Sequence, residues 1–181
     1  MKIQKVGVVG CGLMGSGIAQ ASAQAGYQVV ASEINEELLN RGLGMIDSSL
    51  KRSVDKGRLS QEDKDACLSR IKGTTDMKDF SDRDIVIEAA VENLELKKKI
   101  FADLDNICPA STILASNTSA LSILDIAIAT GRPAQVLGLH FFNPVAVMKL
   151  LEMVRTIATS DETIAACREF GTSLGKTVVV A

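Results

Sequence analysis

Short apolar runs alternate along the chain with longer segments in which apolar residues recur at helical spacing. The runs are four to six residues long and rich in Val and Ile, as is typical of buried strands. They cover residues 5–9, 27–32, 71–74, 84–88, 112–115, 136–139 and 177–180, and residues 147–155 form a further extended segment. Helices are predicted over residues 16–25, 35–56, 60–70, 94–107, 121–129 and 160–174. This alternation predicts an α/β fold with a doubly wound, mainly parallel sheet.

Two helices follow each other between the second and third predicted strands. Asn35 is a suitable N-cap for the first and Gly57 a suitable stop, while Ser60 opens a capping box that begins the second. This helical excursion is longer than a minimal crossover requires. It carries a cluster of basic residues, which either faces a phosphate-bearing ligand or forms a solvated helix face: Lys51, Arg52, Lys56 and Arg58.

A glycine-rich turn joins the first strand to the first helix. Residues 10–15 have the form G-x-G-x-x-G, with Leu13 and Met14 between the last two glycines. In a dinucleotide-binding turn Gly10 permits the tight bend, Gly12 lets a pyrophosphate approach the backbone, and Gly15 lets the helix pack closely on the strand. The helix then presents its free N–H groups and positive dipole end to the phosphates. The fold is therefore predicted to be of the Rossmann type, with residues 1–181 forming one cofactor-binding domain.

An acidic residue ends the second strand. Glu33 follows Gly15 by eighteen residues, the place where a carboxylate accepts hydrogen bonds from the adenosine ribose hydroxyls. The same carboxylate would repel a 2′-phosphate, so this position favours NAD over NADP. The alternative is that Glu33 is only a solvated strand end.

Composition and charge narrow the classes of partner. The net charge of −2 gives no reason to expect nucleic acid or an anionic membrane as a partner. No stretch of the chain approaches the roughly 20 apolar residues of a membrane span, and the N-terminus does not resemble a signal peptide. A cytoplasmic location is therefore expected.

The four cysteines show no spacing typical of a disulfide framework or a zinc site, so no metal is expected. Cys11 lies within the glycine-rich turn, where a helix N-terminus could lower its pKa and make it redox-active. The alternative interpretation is that Cys11 is simply a small residue that fits the turn.

Polar residues follow several predicted strands, where doubly wound sheets gather their ligands. His140, the single histidine, directly follows the apolar run 136–139 and could act as a general base that takes a proton from a substrate hydroxyl. It could equally be a structural histidine at a strand end. A chain that turns back at Pro144 could bring Glu152 against the imidazole, and Ser119 could donate a hydrogen bond to the reacting oxygen. Spacing alone leaves open whether these three residues meet.

Three segments together resemble the 3-hydroxyacyl-CoA dehydrogenase family, and within it the members that act on 3-hydroxybutyryl-CoA. The segments are 84–97 (DIVIEAAVENLELK), 115–121 (ASNTSAL) and 138–152 (GLHFFNPVAVMKLLE), of which the His-Phe-Phe-Asn-Pro block is the most specific. The likeness extends over essentially the whole chain. It implies oxidation of (S)-3-hydroxyacyl-CoA to 3-oxoacyl-CoA, with hydride transferred to NAD.

The resemblance also implies roles for individual residues of the reaction site. His140 matches the family's general base, Glu152 its partner, and Ser119 the serine that touches both substrate and cofactor.

Further residues match positions that bind the cofactor and the CoA group. Glu33 matches the ribose-binding acid, and Glu92, Lys97 and Asn143 match residues that line the nicotinamide half of NAD. Ser49 and Lys56, on the long helix, match positions that contact CoA.

The family continues beyond the final strand of this sequence into an all-helical domain, which we expect to be absent here. In the family that domain completes the acyl-CoA cleft and provides most of the homodimer contact. Two alternatives remain at this point. The chain could be a non-catalytic NAD-binding or structural domain, or a β-hydroxyacid dehydrogenase that does not use CoA, a class whose chemistry usually depends on a lysine.

Overall fold

The computed structural model describes all residues from 1 to 181. Its strands are β1 (Lys5–Val9), β2 (Gln28–Ser32), β3 (Ile71–Thr74), β4 (Ile85–Glu88), β5 (Ile113–Ser116), β6 (Val136–Phe141), β7 (Leu150–Val154) and β8 (Thr177–Val180). Its helices are α1 (Leu13–Gln24), α2 (Glu36–Asp55), α3 (Gln61–Ser69), α4 (Leu94–Ile107), α5 (Ile123–Ala127) and α6 (Asp161–Ser173). Short 3₁₀ turns lie at Met77–Phe80 and Pro133–Gln135.

All eight strands form one sheet in the order β3-β2-β1-β4-β5-β6-β7-β8. Every neighbouring pair is parallel except β6 and β7, which are antiparallel. The strand order reverses between β1 and β4, which is where a doubly wound sheet opens a crevice at its carboxyl edge. The Rossmann-type, mainly parallel fold with two consecutive helices after β2 is confirmed.

Helices cover both faces of the sheet because the central strands are apolar on both sides. On one face α1, α2, α3 and α6 pack on the strands through side chains such as Ile18, Leu50 and Phe170. On the other face α4 and α5 pack through Phe101, Leu104 and Ile126. None of these helices combines the length and the apolar character that crossing a bilayer would need.

Local capping signals place the helix ends well. The Asn35 side chain accepts a hydrogen bond from Leu38 N at 2.9 Å, and the Ser60 hydroxyl accepts one from Asp63 N at 3.0 Å. Gly57, with φ of +68°, lies directly after Lys56, the C-cap of α2. The predicted ends of α2, α3 and α4 are therefore correct to within a residue.

Four predicted elements have limits in the structure that differ by more than one residue. The first helix begins at Leu13 rather than at residue 16, because Ser16 N donates to Gly12 O at 2.9 Å and closes a helical turn there. The helix expected over 121–129 is only Ile123–Ala127, because the Thr130 hydroxyl bonds the carbonyl of Ala127 and the chain turns there. The extended segment expected over 147–155 begins at Leu150, since Val147 N and Met148 N both donate to Pro144 O in a turn. The strand expected over 136–139 runs on to Phe141, because β7 pairs with it.

Candidate functional site

The glycine-rich turn packs tightly at its two ends and is open in the middle. Gly10 has φ of +88°, and a Cβ there would lie 2.9 Å from Ala89 O. A Cβ on Gly15 would lie only 1.6 Å from Gly10 O, so α1 contacts the turn directly. Around Gly12, the residue that precedes α1, no atom lies within 4 Å of the position a Cβ would take. This open space beside free N–H groups fits the pyrophosphate of a dinucleotide.

The Glu33 carboxylate lies against the turn. Its Oε1 accepts a hydrogen bond from Cys11 N at 2.8 Å, and its Oε2 accepts one from Ile34 N at 3.1 Å. The acid at the end of β2 is thus fixed beside the phosphate-binding turn, which fits the predicted contact with the ribose. The contact itself stays a prediction.

Cys11 is buried beneath the same turn, with only 1% of its surface exposed. Burial, and to a smaller extent the neighbouring Glu33 carboxylate, raises the pKa of its thiol to about 11. This direction is opposite to the lowering that a helix N-terminus could cause, so the redox interpretation is corrected. Close packing explains the small residue instead, because even a Cβ on Gly42 of α2 would lie 2.6 Å from Cys11 Sγ.

The thiols give a simple test of this packing. All four cysteines are buried, and burial also raises the pKa of Cys108 to about 11 and of Cys167 to about 12. At pH 8 only about one thiol in a thousand with a pKa near 11 is ionised, and the thiolate is the reactive form. We expect no rapid reaction of the folded protein with DTNB at pH 8, and four reactive thiols after unfolding in guanidinium. A thiol that reacts quickly in the folded state would contradict this packing.

A pocket of about 290 Å³ lies at the carboxyl edge of the sheet. Five of its lining residues are site residues predicted from the sequence: Met14, Glu92, Ser119, His140 and Asn143. The other three are Asn117, Phe141 and Phe142, to which the sequence analysis assigned no role in the site. The pocket therefore brings together residues from four separate stretches of the chain.

His140 and Glu152 meet across the antiparallel pair of strands. They are direct register partners on β6 and β7, and His140 Nδ1 lies 3.0 Å from Glu152 Oε2. Because an ionised carboxylate can only accept, this contact favours a proton on Nδ1 and leaves Nε2 of the neutral ring as an acceptor. The Phe142 ring, with its centroid 4.3 Å from that of the imidazole, packs against it.

Glu92 and Lys97 occupy different positions relative to the pocket. The Glu92 carboxylate lines the pocket and accepts a hydrogen bond from the Thr118 hydroxyl. Lys97 is wholly buried behind it, with Nζ 3.8 Å from Glu92 Oε2 and 2.6 Å from Glu88 Oε1. Lys97 was predicted to line the nicotinamide half of NAD, and the structure places it behind the pocket wall instead.

Glu88 and Asn117 are the main residues near the pocket to which the sequence analysis assigned no role. Glu88 is the last residue of β4 and is wholly buried, and its backbone carbonyl accepts a hydrogen bond from Asn117 N at 2.7 Å. The Asn117 side chain in turn accepts one from Phe141 N at 2.9 Å, next to His140. An acid at the end of an otherwise apolar strand was the available signal, because buried charges are rare unless paired.

A larger cavity of about 530 Å³ lies between α1, α2 and the turn that follows β6. Asn143 lines both this cavity and the smaller pocket, so the two adjoin. Ser49 lines the larger cavity together with Arg41 and Arg52, whereas Lys56 lies at the end of α2, outside the lining. No group of three or more His, Cys, Asp or Glu side chains is arranged to hold a metal ion.

Comparison with known proteins now identifies the family. Residues 5–181 match the model of the 3-hydroxyacyl-CoA dehydrogenase NAD binding domain. The chain belongs to this family. The resemblance inferred from the three sequence segments is thus confirmed, and NAD is confirmed as the cofactor of this 3-hydroxyacyl-CoA dehydrogenase domain.

Relatives named as dehydrogenases are similar to nearly the whole chain. It is 49% identical over 179 residues to a 3-hydroxybutyryl-CoA dehydrogenase of Mycobacterium tuberculosis, covering 98% of this chain and 63% of the relative. The crystal structure of (S)-3-hydroxybutyryl-CoA dehydrogenase from Ralstonia eutropha superposes with a TM-score of 0.97 at 45% identity, covering 99% of this chain and 63% of that one. A diketoreductase structure superposes with a TM-score of 0.93 at 32% identity, covering 100% and 65%. The chain thus spans just under two thirds of the length of these proteins.

Proposed function

We propose that this chain is the cofactor-binding and catalytic part of a dehydrogenase that oxidises (S)-3-hydroxyacyl-CoA to 3-oxoacyl-CoA with NAD. The proposed substrate is 3-hydroxybutyryl-CoA, the compound after which the similar proteins are named. The observation that carries the proposal is the His140–Glu152 pair, held at 3.0 Å on the wall of a pocket beside the glycine-rich turn. A domain that only binds NAD has no need of an oriented imidazole at this place.

The residues of the pocket have complementary roles in the proposed reaction. NAD, when bound, supplies the hydride acceptor. His140 Nε2 takes the proton of the substrate hydroxyl in the oxidative direction and returns it in the reductive one. Glu152 holds the ring in the required tautomer and stabilises the imidazolium that forms. Ser119 donates a hydrogen bond to the reacting oxygen, and Asn143 lines the pocket on the side of the larger cavity.

The larger cavity is the proposed site of the CoA group. Ser49, Arg41 and Arg52 line it, and two guanidinium-bearing side chains suit a phosphate-bearing ligand. Lys56 lies beyond the lining at the end of α2, where it would meet only the far end of such a ligand.

We also propose that residues 1–181 act as one NAD-binding domain within a larger homodimeric, cytoplasmic enzyme. Support comes from the relatives, which are about half as long again as this chain, so further structure accompanies the same domain there. An all-helical C-terminal domain would close the acyl-CoA cleft and exclude water from it.

Acetoacetyl-CoA reduction is the experiment that tests the function. NADH oxidation is followed with acetoacetyl-CoA and separately with free acetoacetate, and NADH binding is measured on the same sample. We expect NADH binding, together with turnover of the CoA ester in preference to the free acid. Turnover of the free acid alone would favour a dehydrogenase that does not use CoA, a possibility raised by the similar diketoreductase.

Two other outcomes separate the remaining alternatives. NADH binding without any turnover, also when the C-terminal part of a relative is supplied, would favour the non-catalytic NAD-binding domain. The absence of NADH binding in a folded sample would overturn the proposal altogether.

A further inference from the structure

A buried ion pair behind the pocket has no part in the proposed proton transfer. Glu88 at the end of β4 and Lys97 on α4 are both wholly buried, with Nζ and Oε1 2.6 Å apart. Neither side chain lines the pocket. A buried pair of this kind is often no more stabilising than apolar residues of similar volume, so its presence calls for a role other than stability.

Glu88 connects three segments of the carboxyl edge. Its Oε1 accepts hydrogen bonds from Ala90 N and from Lys97 Nζ, each at 2.6 Å, and its Oε2 accepts one from the Ser116 hydroxyl at 2.7 Å. These donors belong to the loop after β4, to helix α4 and to the end of β5. One carboxylate thus fixes the three segments relative to one another, and the same three hydrogen bonds hold the carboxylate in place.

Lys97 transmits this position to the pocket wall. Its ammonium group is held by Glu88 Oε1 and by Ala90 O at 3.3 Å, and Glu92 Oε2 lies 3.8 Å away. The Glu92 carboxylate is the only one of these charges that reaches the pocket, where the Thr118 hydroxyl bonds its other oxygen. The position of the Glu92 carboxylate therefore depends on the position of the Lys97 ammonium group and on how much of its charge Glu88 neutralises.

We propose that Glu88 is a positioning residue for the nicotinamide half of NAD. Its negative charge holds Lys97 back from full pairing with Glu92, so that the Glu92 carboxylate stays on the pocket wall and available to the cofactor. Without that charge the ammonium group pairs fully with Glu92 and draws it inwards. The inference rests on the proposed function, since it takes the His140 pocket as the place of the nicotinamide.

The two halves of the cofactor give the decisive measurement. The glycine-rich turn and Glu33, which are proposed to bind the ADP-ribose part, make no hydrogen bond to the Glu88 side chain. We expect Glu88→Gln, which keeps the shape and removes the charge, to weaken NADH binding about tenfold, a change of about 1.4 kcal/mol. ADP-ribose, measured by the same calorimetric titration, should bind as tightly as to the unmodified protein.

A variant at the other end of α4 is the matched control. The Asp105 carboxylate also accepts from a basic side chain, Arg132 Nε at 2.6 Å, and from a backbone N–H, that of Gly131 at 2.8 Å. Asp105→Asn removes a carboxylate charge from the same helix away from the pocket. It should lower Tm and leave the ratio of NADH to ADP-ribose affinity unchanged.

A second variant keeps the test decisive if Glu88→Gln does not fold. The double change Glu88→Gln with Lys97→Met leaves no unpaired buried charge and a similar volume, so it should fold. It should bind NADH and ADP-ribose as tightly as the unmodified protein, because no ammonium group remains to draw Glu92 inwards.

The outcomes separate this inference from the proposed function. Unchanged NADH affinity in Glu88→Gln would overturn the positioning role, and so would a selective loss of NADH affinity in the double variant. An equal loss for NADH and ADP-ribose would overturn it as well, because the effect would then be a general weakening of the fold. A failure of the unmodified protein to bind NADH would instead count against the proposed function.

Discussion

Replacing His140 with asparagine is expected to slow acetoacetyl-CoA reduction by about 10²–10⁴-fold, the usual contribution of a positioned acid–base group. The reason is geometric. The imidazole lies on the wall of the pocket with Nδ1 bound to Glu152, so its Nε2 is the atom left to exchange a proton with the substrate. Asparagine keeps a polar side chain of moderate size at the end of β6 and cannot carry that proton.

Glu152→Gln should have a smaller effect in the same direction. The amide can still contact the ring, but it cannot stabilise the imidazolium with a negative charge and can favour the other tautomer. Since the two residues act as a unit, the double variant should be little worse than His140→Asn alone. Independent, multiplying effects would mean that the 3.0 Å contact has no part in the chemistry.

The measured quantities are kcat and kcat/KM for acetoacetyl-CoA. The substitutions are made in a form of the enzyme that reduces acetoacetyl-CoA when it carries no substitution. NADH affinity and Tm are measured beside them and should change little, because neither side chain lies in the apolar core. A His140→Asn variant with near-normal kcat would remove the main support for the proposed function. A loss of activity matched by a loss of NADH binding would point to a binding role for the histidine instead.

The sequence predicted the fold well because its signals are local. The Val-rich runs, the caps at Asn35 and Ser60 and the glycine-rich turn each act within a few residues, and each keeps its predicted place in the structure. The limits of β6 could not be predicted in this way. That strand continues to Phe141 because β7 returns beside it, and the pairing joins residues ten to sixteen positions apart.

For the candidate site, too, local sequence signals predicted some features, whereas contacts between distant segments could not be predicted. The resemblance to a family supplied His140, Glu152 and Ser119 as members of one site, whereas spacing alone left their meeting open. Neither source singled out Glu88, whose contacts join three segments that only the folded sheet brings together. The place of Lys97 behind Glu92 also follows from burial, which depends on the packing of α4 against the sheet.

Gly15→Ala is the second change with a large expected effect, and it should abolish useful NADH binding while lowering stability. The added Cβ would lie 1.6 Å from Gly10 O and 2.7 Å from Gly10 C, so backbone must move because no flexible side chain can give way. Overpacking of this kind typically costs about 1–3 kcal/mol. The movement also displaces the N-terminus of α1, which presents the N–H groups to the pyrophosphate.

Gly12→Ala, three residues earlier, provides the contrast that makes the Gly15 result interpretable. No atom lies within 4 Å of the Cβ position at Gly12, and its φ of −74° suits any residue, so Tm should stay near that of the unmodified protein. The methyl group would nevertheless stand in the space that the pyrophosphate approaches, and NADH affinity should fall about tenfold or more, that is by at least about 1.4 kcal/mol. Thermal unfolding and NADH titration of both variants check the pair of expectations. A stable Gly15→Ala protein with normal affinity would show that α1 does not need its contact with Gly10, whereas normal affinity in Gly12→Ala would place the phosphates elsewhere than on this turn.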